Sequence, residues 1–109
     1  INATTEVDLF GQCASETVAG KYYSSTGGQA DFARGVRFAK EGKGFVCMTS
    51  TAKNDEISRI KLSLSPGSVV TTSKNDVDMI VTEYGVAKNV WKTNFRRCET
   101  TYLDSTPEI

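Results

Sequence analysis

Residues 24–35, SSTGGQADFARG, constrain the structure of this chain most strongly, because a pair of glycines leads directly into a helical pattern. From Gln29 to Lys40 the apolar residues Phe32, Val36 and Ala39 recur at spacings of three to four, as on one face of an amphipathic helix. The pattern predicts a helix over 29–40, packed on a sheet, with Gly27-Gly28 at its N-terminus.

The start of such a helix has two interpretations. Free backbone N–H groups and the positive end of the helix dipole favour an anion or a developing oxyanion, and glycine lets a ligand approach the backbone. Alternatively, Gly27-Gly28 is a tight turn and Asp31 complements the dipole. The glycine pair alone favours the turn, and the segment is neither a Walker loop nor G-x-G-x-x-G.

On both sides of this segment the pattern predicts strands. Residues 1–11 and 13–23 read as a hairpin, and residues 45–48 as a buried strand. Residues 57–64 read as a half-exposed strand with Ile60, Leu62 and Leu64 buried, and residues 69–72 and 77–81 as two central strands. We therefore expect the α/β class, a mixed sheet with flanking helices.

Composition excludes several classes of function. The 109 residues suit one domain, and 13 Lys plus Arg balance 13 Asp plus Glu, which argues against binding nucleic acid or an anionic membrane. No apolar run approaches the roughly 18 residues that span a bilayer, so the expected location is cytoplasmic. The chain has no histidine, and its three widely spaced cysteines predict neither a disulfide framework nor a metal site. Cys47, within an apolar strand, is expected to be an inert buried thiol.

Further motifs accompany the glycine pair in a fixed order. They are INATTEVDLFGQ at 1–12, GGQADF at 27–32, STAK at 50–53, SRI at 58–60, VVTTSKNDV at 69–77 and VTEYGVA at 81–87. In this order and spacing the chain resembles the C-terminal domain of the acetyl-CoA hydrolase/transferase family, which includes 4-hydroxybutyrate, butyrate and acetate CoA-transferases. The resemblance covers residues 1–87 and implies the fold of the C-terminal half-domain of family I CoA-transferases. Residues 88–109 depart from the family pattern and are expected to form an atypical tail.

The resemblance implies a substrate class and half of an active site. In the family a glutamate attacks the acyl-CoA carbonyl, and the nucleophile lies upstream of the region matched here. The implied partners are an acyl-CoA and a small carboxylic acid, with the coenzyme A thioester as substrate and no covalently bound cofactor. The isolated chain is expected to be inactive.

The resemblance also assigns roles to individual residues. Gly28, beside Gly27, would give a backbone N–H to the thioester oxygen, and Lys53 would face the cleft and steady a carboxylate or CoA phosphate. Glu83 would orient the nucleophilic carboxylate or raise its pKa by like-charge repulsion. Without the motif these residues read as a turn glycine, a solvated loop lysine and a strand-end surface acid. No metal ligands are expected.

Other residues receive structural assignments. Phe32 and Tyr84 are assigned to packing, and Gln29 and Asp31 to holding the glycine loop.

An alternative reading belongs to a different class of protein. In it the chain is a stand-alone, non-catalytic module that self-associates or binds a partner. A homodimer is expected in either case, with Trp91 and Phe95 or a free strand edge at the contact.

Overall fold

A computed structural model describes residues 1–88 as short strands and one helix. The helix, α1, is Gln29–Gly35, followed by a 3-10 helix Val36–Phe38. The strands are β1 (Asn2–Ala3), β2 (Glu6–Asp8), β3 (Cys13–Ala14), β4 (Thr17–Val18), β5 (Lys21–Tyr22), β6 (Phe45–Cys47), β7 (Thr51–Ala52), β8 (Ile57–Ser58), β9 (Ile60–Lys61), β10 (Met79–Thr82) and β11 (Gly85–Lys88).

The main sheet has four strands in the order β1-β6-β10-β11. Strands β1, β6 and β10 run parallel, and β11 returns antiparallel to β10 through a hairpin. In the register, Ile80 lies between Val46 and Ala87, and all three side chains are buried. Burial alternates along β6, β10 and β11, so one face of the sheet is buried and the other is partly exposed. The predicted α/β class with a mixed sheet is confirmed.

A second sheet of three strands, β3-β2-β9, packs beside the first. The predicted strand over residues 1–11 is in fact two strands, because β1 joins the main sheet and β2 joins this one. Thr4 and Thr5 mark the break, since both hydroxyls donate to the carbonyl of Ala14, at 2.9 and 2.5 Å. Residues 13–23 likewise divide, into β3 paired with β2 and a separate β4-β5 hairpin.

The core joins the two sheets. Its buried apolar cluster consists of Val7, Cys13, Val46, Met48, Ile60, Val77, Ile80 and Ala87. Cys13 is a buried thiol that donates to the Gly11 carbonyl, whereas Cys47 is only half-buried, so the predicted burial of Cys47 is partly correct. Within residues 1–88, no helix has the length and apolar character needed to cross a membrane.

The helix begins where the sequence predicts and ends earlier. Gly28 is its N-cap, and α1 gives way to the 3-10 helix after Gly35 rather than continuing to Lys40. The side chains that α1 buries are Gln29 and Ala33, whereas Phe32 is 69% exposed. The assignment of Phe32 to packing is therefore wrong for the described residues, because the helix reaches the sheet through a small residue.

Two other strand predictions are also corrected. Leu62 is 77% exposed rather than buried, because Ser58 Oγ bonds the backbone of Ile60 and breaks the predicted strand into β8 and β9. Residues 69–72 form no strand: Thr72 forms an isolated bridge with Cys13, and the backbone N–H of Thr71 donates to the Cys13 carbonyl at 2.8 Å. Of the predicted tail, 88–109, only Lys88 at the end of β11 is among the described residues, so Trp91 and Phe95 lie outside them.

Candidate functional site

The candidate site lies where the parallel strands of the main sheet end. Because β6 and β10 are parallel neighbours, the residues that follow them emerge at the same edge of the sheet, here called the carboxyl edge. Ser50 and Lys53 follow β6, and Glu83 follows β10. In α/β sheets this is the edge at which ligands bind.

The C-terminal end of α1 and the 3-10 helix contact the opposite, amino edge of the main sheet, since Arg34 and Arg37 both form ion pairs of 3.2 Å with Asp76, which precedes β10. A cavity of about 70 Å³ lies there, lined by α1 and the amino ends of β6 and β10. Phe32 lines this cavity, and a Cβ at Gly28 would lie 3.5 Å from the Phe32 ring. Among residues 1–88 no described contact joins Gly28 to Ser50, Lys53 or Glu83, so the structure does not bring Gly28 together with these residues.

Glu83 is held by Ser50. The carboxylate occupies the two-residue turn between β10 and β11 and accepts the backbone N–H of Ser50, at 2.9 Å to Oε2 and 3.2 Å to Oε1. The Ser50 hydroxyl also donates to Oε1. Glu83 is exposed, whereas Ser50 is fully buried. The predicted strand-end acid is thus fixed in direction by a buried partner.

These hydrogen bonds favour the charged form of Glu83. The Ser50 hydroxyl is the main cause that lowers the pKa of Glu83, and the backbone amides of Glu83 and Ser50 act in the same direction. Partial burial opposes them and is outweighed. At neutral pH the carboxyl edge therefore carries an oriented carboxylate.

Lys53 lies in the tight turn between β7 and β8. Lys53, Asn54 and Asp55 all have left-handed backbones, with φ of 52°, 55° and 68°, a conformation that costs about 1 kcal/mol or more per non-glycine residue. The turn is closed by Thr51 Oγ1 donating to Asp55 at 2.6 Å. The Lys53 side chain is exposed, and within residues 1–88 no carboxylate lies within ion-pair distance of it. Its ammonium group is therefore available to a ligand.

The two glycines differ in what the fold requires. Gly27 has φ of +59°, which favours glycine, although a Cβ there would meet nothing within 4 Å. Gly28 has an ordinary φ of −103°, and a Cβ there would touch only the Phe32 ring at 3.5 Å. The backbone conformation therefore explains Gly27 but not Gly28.

The other residues assigned to the glycine loop behave differently from each other. Asp31 lies exposed in the first turn of α1, as expected. Gln29 is 7% exposed, and within the described part of the chain its Nε2 has no hydrogen-bond partner. The expected role of Gln29 in holding the loop is thus not supported by a hydrogen bond from that amide nitrogen. Tyr84, assigned to packing, is 59% exposed, because it occupies the hairpin turn beside Glu83.

Sequence reasoning did not identify Glu6 as a buried carboxylate. Burial would raise the pKa of Glu6, but hydrogen bonds from Ser65 and Ser68 and the charge of Lys61 together hold it below its ordinary value. The only available signal was its place in a strand beside Val7. Glu6 fastens β2 to the turn at 65–68 and is structural. Among residues 1–88, no group of three or more His, Cys, Asp or Glu is placed to hold a metal ion.

Comparisons with known proteins give a consistent result. The acetyl-CoA hydrolase/transferase C-terminal domain profile matches residues 1–101. Succinyl-CoA:cyclohexane-1-carboxylate CoA transferase of Geobacter metallireducens is 62% identical over 88 residues, which are 81% of this chain and 20% of that protein. 4-Hydroxybutyrate coenzyme A transferase of Clostridium kluyveri is 48% identical over 93 residues, which are 85% of this chain and 22% of that protein. The chain thus spans about a fifth of the length of these curated relatives.

The fold also matches a solved structure. RipA from Yersinia pestis superposes with a TM-score of 0.86 at 36% sequence identity, and the match covers 97% of this chain and 24% of RipA.

Proposed function

The chain belongs to the acetyl-CoA hydrolase/transferase C-terminal domain family, and from this premise we propose that it is the CoA-facing side of an acyl-CoA:carboxylate CoA-transferase. The curated relatives are CoA-transferases by name, which supports acyl-CoA and a small carboxylic acid as the substrates. A cytoplasmic location, and the absence of nucleic-acid or membrane partners, remain predictions from composition.

In the proposed reaction, a glutamate from another part of the enzyme attacks the thioester carbonyl and expels CoA thiolate, leaving an acyl-glutamyl anhydride. The thiolate then attacks the glutamyl carbonyl, which gives a glutamyl-CoA thioester and releases the acyl group as a carboxylate. The acceptor acid next takes the place of the first carboxylate and receives CoA by the reverse steps. Each attack forms an oxyanion that is stabilised by hydrogen-bond donors. Because the nucleophile comes from another part of the enzyme, the residues of this chain bind the substrate and orient the reacting groups.

Three residues have roles in this proposal. The backbone N–H of Gly28, the residue after Gly27, donates to the thioester oxygen. This role is supported because neither the backbone conformation nor the contacts of residue 28 require a glycine. Lys53 steadies the acid or a CoA phosphate with its unpaired ammonium group. Glu83, as an oriented anion, either orients the nucleophilic carboxylate or raises the pKa of that carboxylate by like-charge repulsion.

One observation carries the proposal. Glu83 follows β10, and Ser50, which donates to its carboxylate, follows the parallel neighbour β6. A strand-end acid without protein partners would be solvated, whereas this carboxylate accepts hydrogen bonds from both donors of a buried residue.

A specific observation also favours the second candidate, a module that associates. Among residues 1–88, twelve large apolar side chains are exposed, including Phe32, Phe38 and Leu62 at 69%, 85% and 77%. Apolar surface of this kind is commonly covered by another polypeptide. We propose a homodimer as the cover, with Trp91 at the contact; Trp91 lies outside the described residues.

The proposed function is tested by titrating acetyl-CoA into the ¹⁵N-labelled 109-residue chain and following the backbone amides by NMR. We expect saturable shifts at Gly28, Ser50, Lys53 and Glu83, and none at Lys43 and Gly44 on the amino edge. The Lys53→Met variant should weaken binding, and Lys43→Met, which changes an exposed lysine on the far edge, is the matched control. Shifts confined to the amino edge, or none at millimolar acetyl-CoA, would contradict the proposal.

A further inference from the structure

We propose that Ser50 is a positioning residue that fixes the direction of the Glu83 carboxylate through its backbone N–H and its hydroxyl. This rests on the proposed function for the role of Glu83 itself. The role of Ser50 comes from its contacts, because it acts through Glu83 and not on the substrate.

The contacts of Ser50 with Glu83 use both of its donors. Its backbone N–H lies 2.9 Å from Oε2 and 3.2 Å from Oε1, and its hydroxyl donates to Oε1. Two donors from one residue restrict the carboxylate much more than one donor can, because rotation of the carboxyl group would break at least one bond. Both bonds need an acceptor, so they favour the deprotonated form.

The backbone of Ser50 is held in place by a hydrogen bond to the neighbouring segment. It is fully buried, and its carbonyl accepts the backbone N–H of Arg59 at 2.8 Å. The carbonyl of Arg59 in turn accepts the backbone N–H of Val7, a fully buried residue of β2, at 2.9 Å. Ser50 therefore ties Glu83, at the end of a strand in the main sheet, to the three-stranded sheet.

Charged neighbours do not explain the state of Glu83. The titratable or charged side chains on the segments that flank it are Lys53, Asp55 and Glu56 in the β7-β8 turn and Tyr84 in its own turn. Within residues 1–88, none of these side chains forms an ion pair or hydrogen bond with the Glu83 carboxylate. Asp55 instead accepts a hydrogen bond from the Thr51 hydroxyl. The Ser50 hydroxyl is the largest cause acting on the pKa of Glu83, in the direction of the anion.

The consequence for the proposed reaction follows from charge. A protonated Glu83 would neither repel the nucleophilic carboxylate nor accept a hydrogen bond with the same geometry. By keeping the proton off Glu83, Ser50 extends the pH range over which the carboxyl edge carries its negative charge.

The test is a ¹³C NMR titration of the Glu83 side-chain carboxyl in the 109-residue chain and its variants. We expect the pKa of Glu83 to shift upward in Ser50→Ala and to stay low in Ser50→Thr, which keeps the hydroxyl. Thr49→Ala is the matched control, since Thr49 is the adjacent exposed hydroxyl residue and donates to the Thr51 carbonyl instead. An unchanged Glu83 pKa in a folded Ser50→Ala variant would overturn the proposal.

A second measurement needs no variant of Ser50. In the unmodified chain the backbone amide proton of Ser50 should titrate with the same midpoint as the Glu83 carboxyl, and this titration should vanish in Glu83→Gln. A Ser50 amide shift that does not follow Glu83 would overturn the proposal even if Ser50→Ala fails to fold. Acetyl-CoA binding is recorded on the same samples, so a chain that shows the coupling but binds no acetyl-CoA would refute the proposed function alone.

Discussion

Ser50 and Glu83, which are 33 residues apart in the chain, are joined by hydrogen bonds from both donors of Ser50 to one carboxylate. The contact crosses from the loop after β6 to the turn after β10. It therefore links the ends of two parallel neighbours, at the carboxyl edge of the main sheet. This relationship underlies the functional predictions below.

The first prediction concerns Glu83 in catalysis. It uses a chimera in which the 88 residues that align with the Geobacter enzyme replace the matching segment of that enzyme. Glu83→Gln should lower kcat of the chimera about 100-fold, because the neutral amide cannot influence the nucleophile by its charge, while KM changes little. The matched control is Glu56→Gln, an exposed acid in the turn before β8. Equal rates for the two variants in a succinyl-CoA transfer assay would remove Glu83 from the mechanism.

The second prediction separates function from fold at Gly28. A Cβ at Gly28 fits at 3.5 Å from Phe32 with an ordinary φ, so Gly28→Ala should change the free energy of unfolding by less than about 1 kcal/mol. In the chimera it should lower kcat at least about 100-fold, because the methyl group blocks the approach of the thioester oxygen to the backbone N–H. Denaturant unfolding and the transfer assay measure the two effects.

A comparison variant shows the opposite behaviour. In Gly20→Ala the new Cβ would lie 1.9 Å from the Pro66 carbonyl, with φ of +82°, so we expect a loss of about 3 kcal/mol. A Gly28→Ala variant that is fully active, or as unstable as Gly20→Ala, would contradict the assigned role.

The third prediction is acid sensitivity through Glu6. Because the pKa of Glu6 is lower in the folded than in the unfolded chain, the unfolded chain binds more protons in the window between the two values. The stability from Glu6 is complete above the ordinary glutamate pKa of about 4.3 and is lost as the pH falls through the lower folded value. Urea unfolding at a series of pH values should show this loss in the unmodified chain.

Variants of Glu6 and its partner check the cause. Glu6→Gln should cost about 2 kcal/mol at pH 7 and reduce the acid-dependent loss, because the charged hydrogen bonds to Ser65 and Ser68 are weakened. Ser68→Ala should have a smaller effect in the same direction. Glu41→Gln, at an exposed acid, should stay within about 0.5 kcal/mol of the unmodified chain. A Glu6→Gln variant with unchanged acid sensitivity would assign the pH dependence to other groups.

The fourth prediction is self-association of the 109-residue chain. Light scattering at high micromolar concentration should give the mass of a dimer, because the exposed apolar side chains need a cover. Trp91→Ala should shift the equilibrium toward monomer. A monomer in the unmodified chain would refute the homodimer, and an unchanged dimer in Trp91→Ala would refute the contact.

Much of the fold follows from local patterns in the sequence. The helix start at Gly28-Gln29 was predictable because the apolar spacing changes at the glycines, and β6 and β10 were predictable because both are short apolar runs. The exposure of Phe32 was not predictable, because periodicity assigns a residue to one face of the helix but does not show how much of that face contacts the sheet. The absence of a strand at 69–72 was not predictable either, because β-branched composition does not say whether a segment finds a partner strand, and here Thr72 forms only an isolated bridge with Cys13.

The candidate site divides in the same way. Glu83, Lys53 and Gly28 could be named from motifs, because each lies in a short quoted segment. Ser50 lay in one of those segments, but its role depends on a hydrogen bond between two loops, which leaves no periodic signal. Sequence reasoning could therefore name the acid and not the residue that holds it.

The most direct test of the central claim is succinyl-CoA-dependent CoA transfer by the chimera with the Geobacter enzyme, measured as formation of the new acyl-CoA. If this chain is the CoA-facing side of a transferase, the chimera should turn over within about tenfold of the parent enzyme, whereas the isolated 109-residue chain should show no turnover. A chimera that folds and binds succinyl-CoA but forms no new thioester would contradict the account.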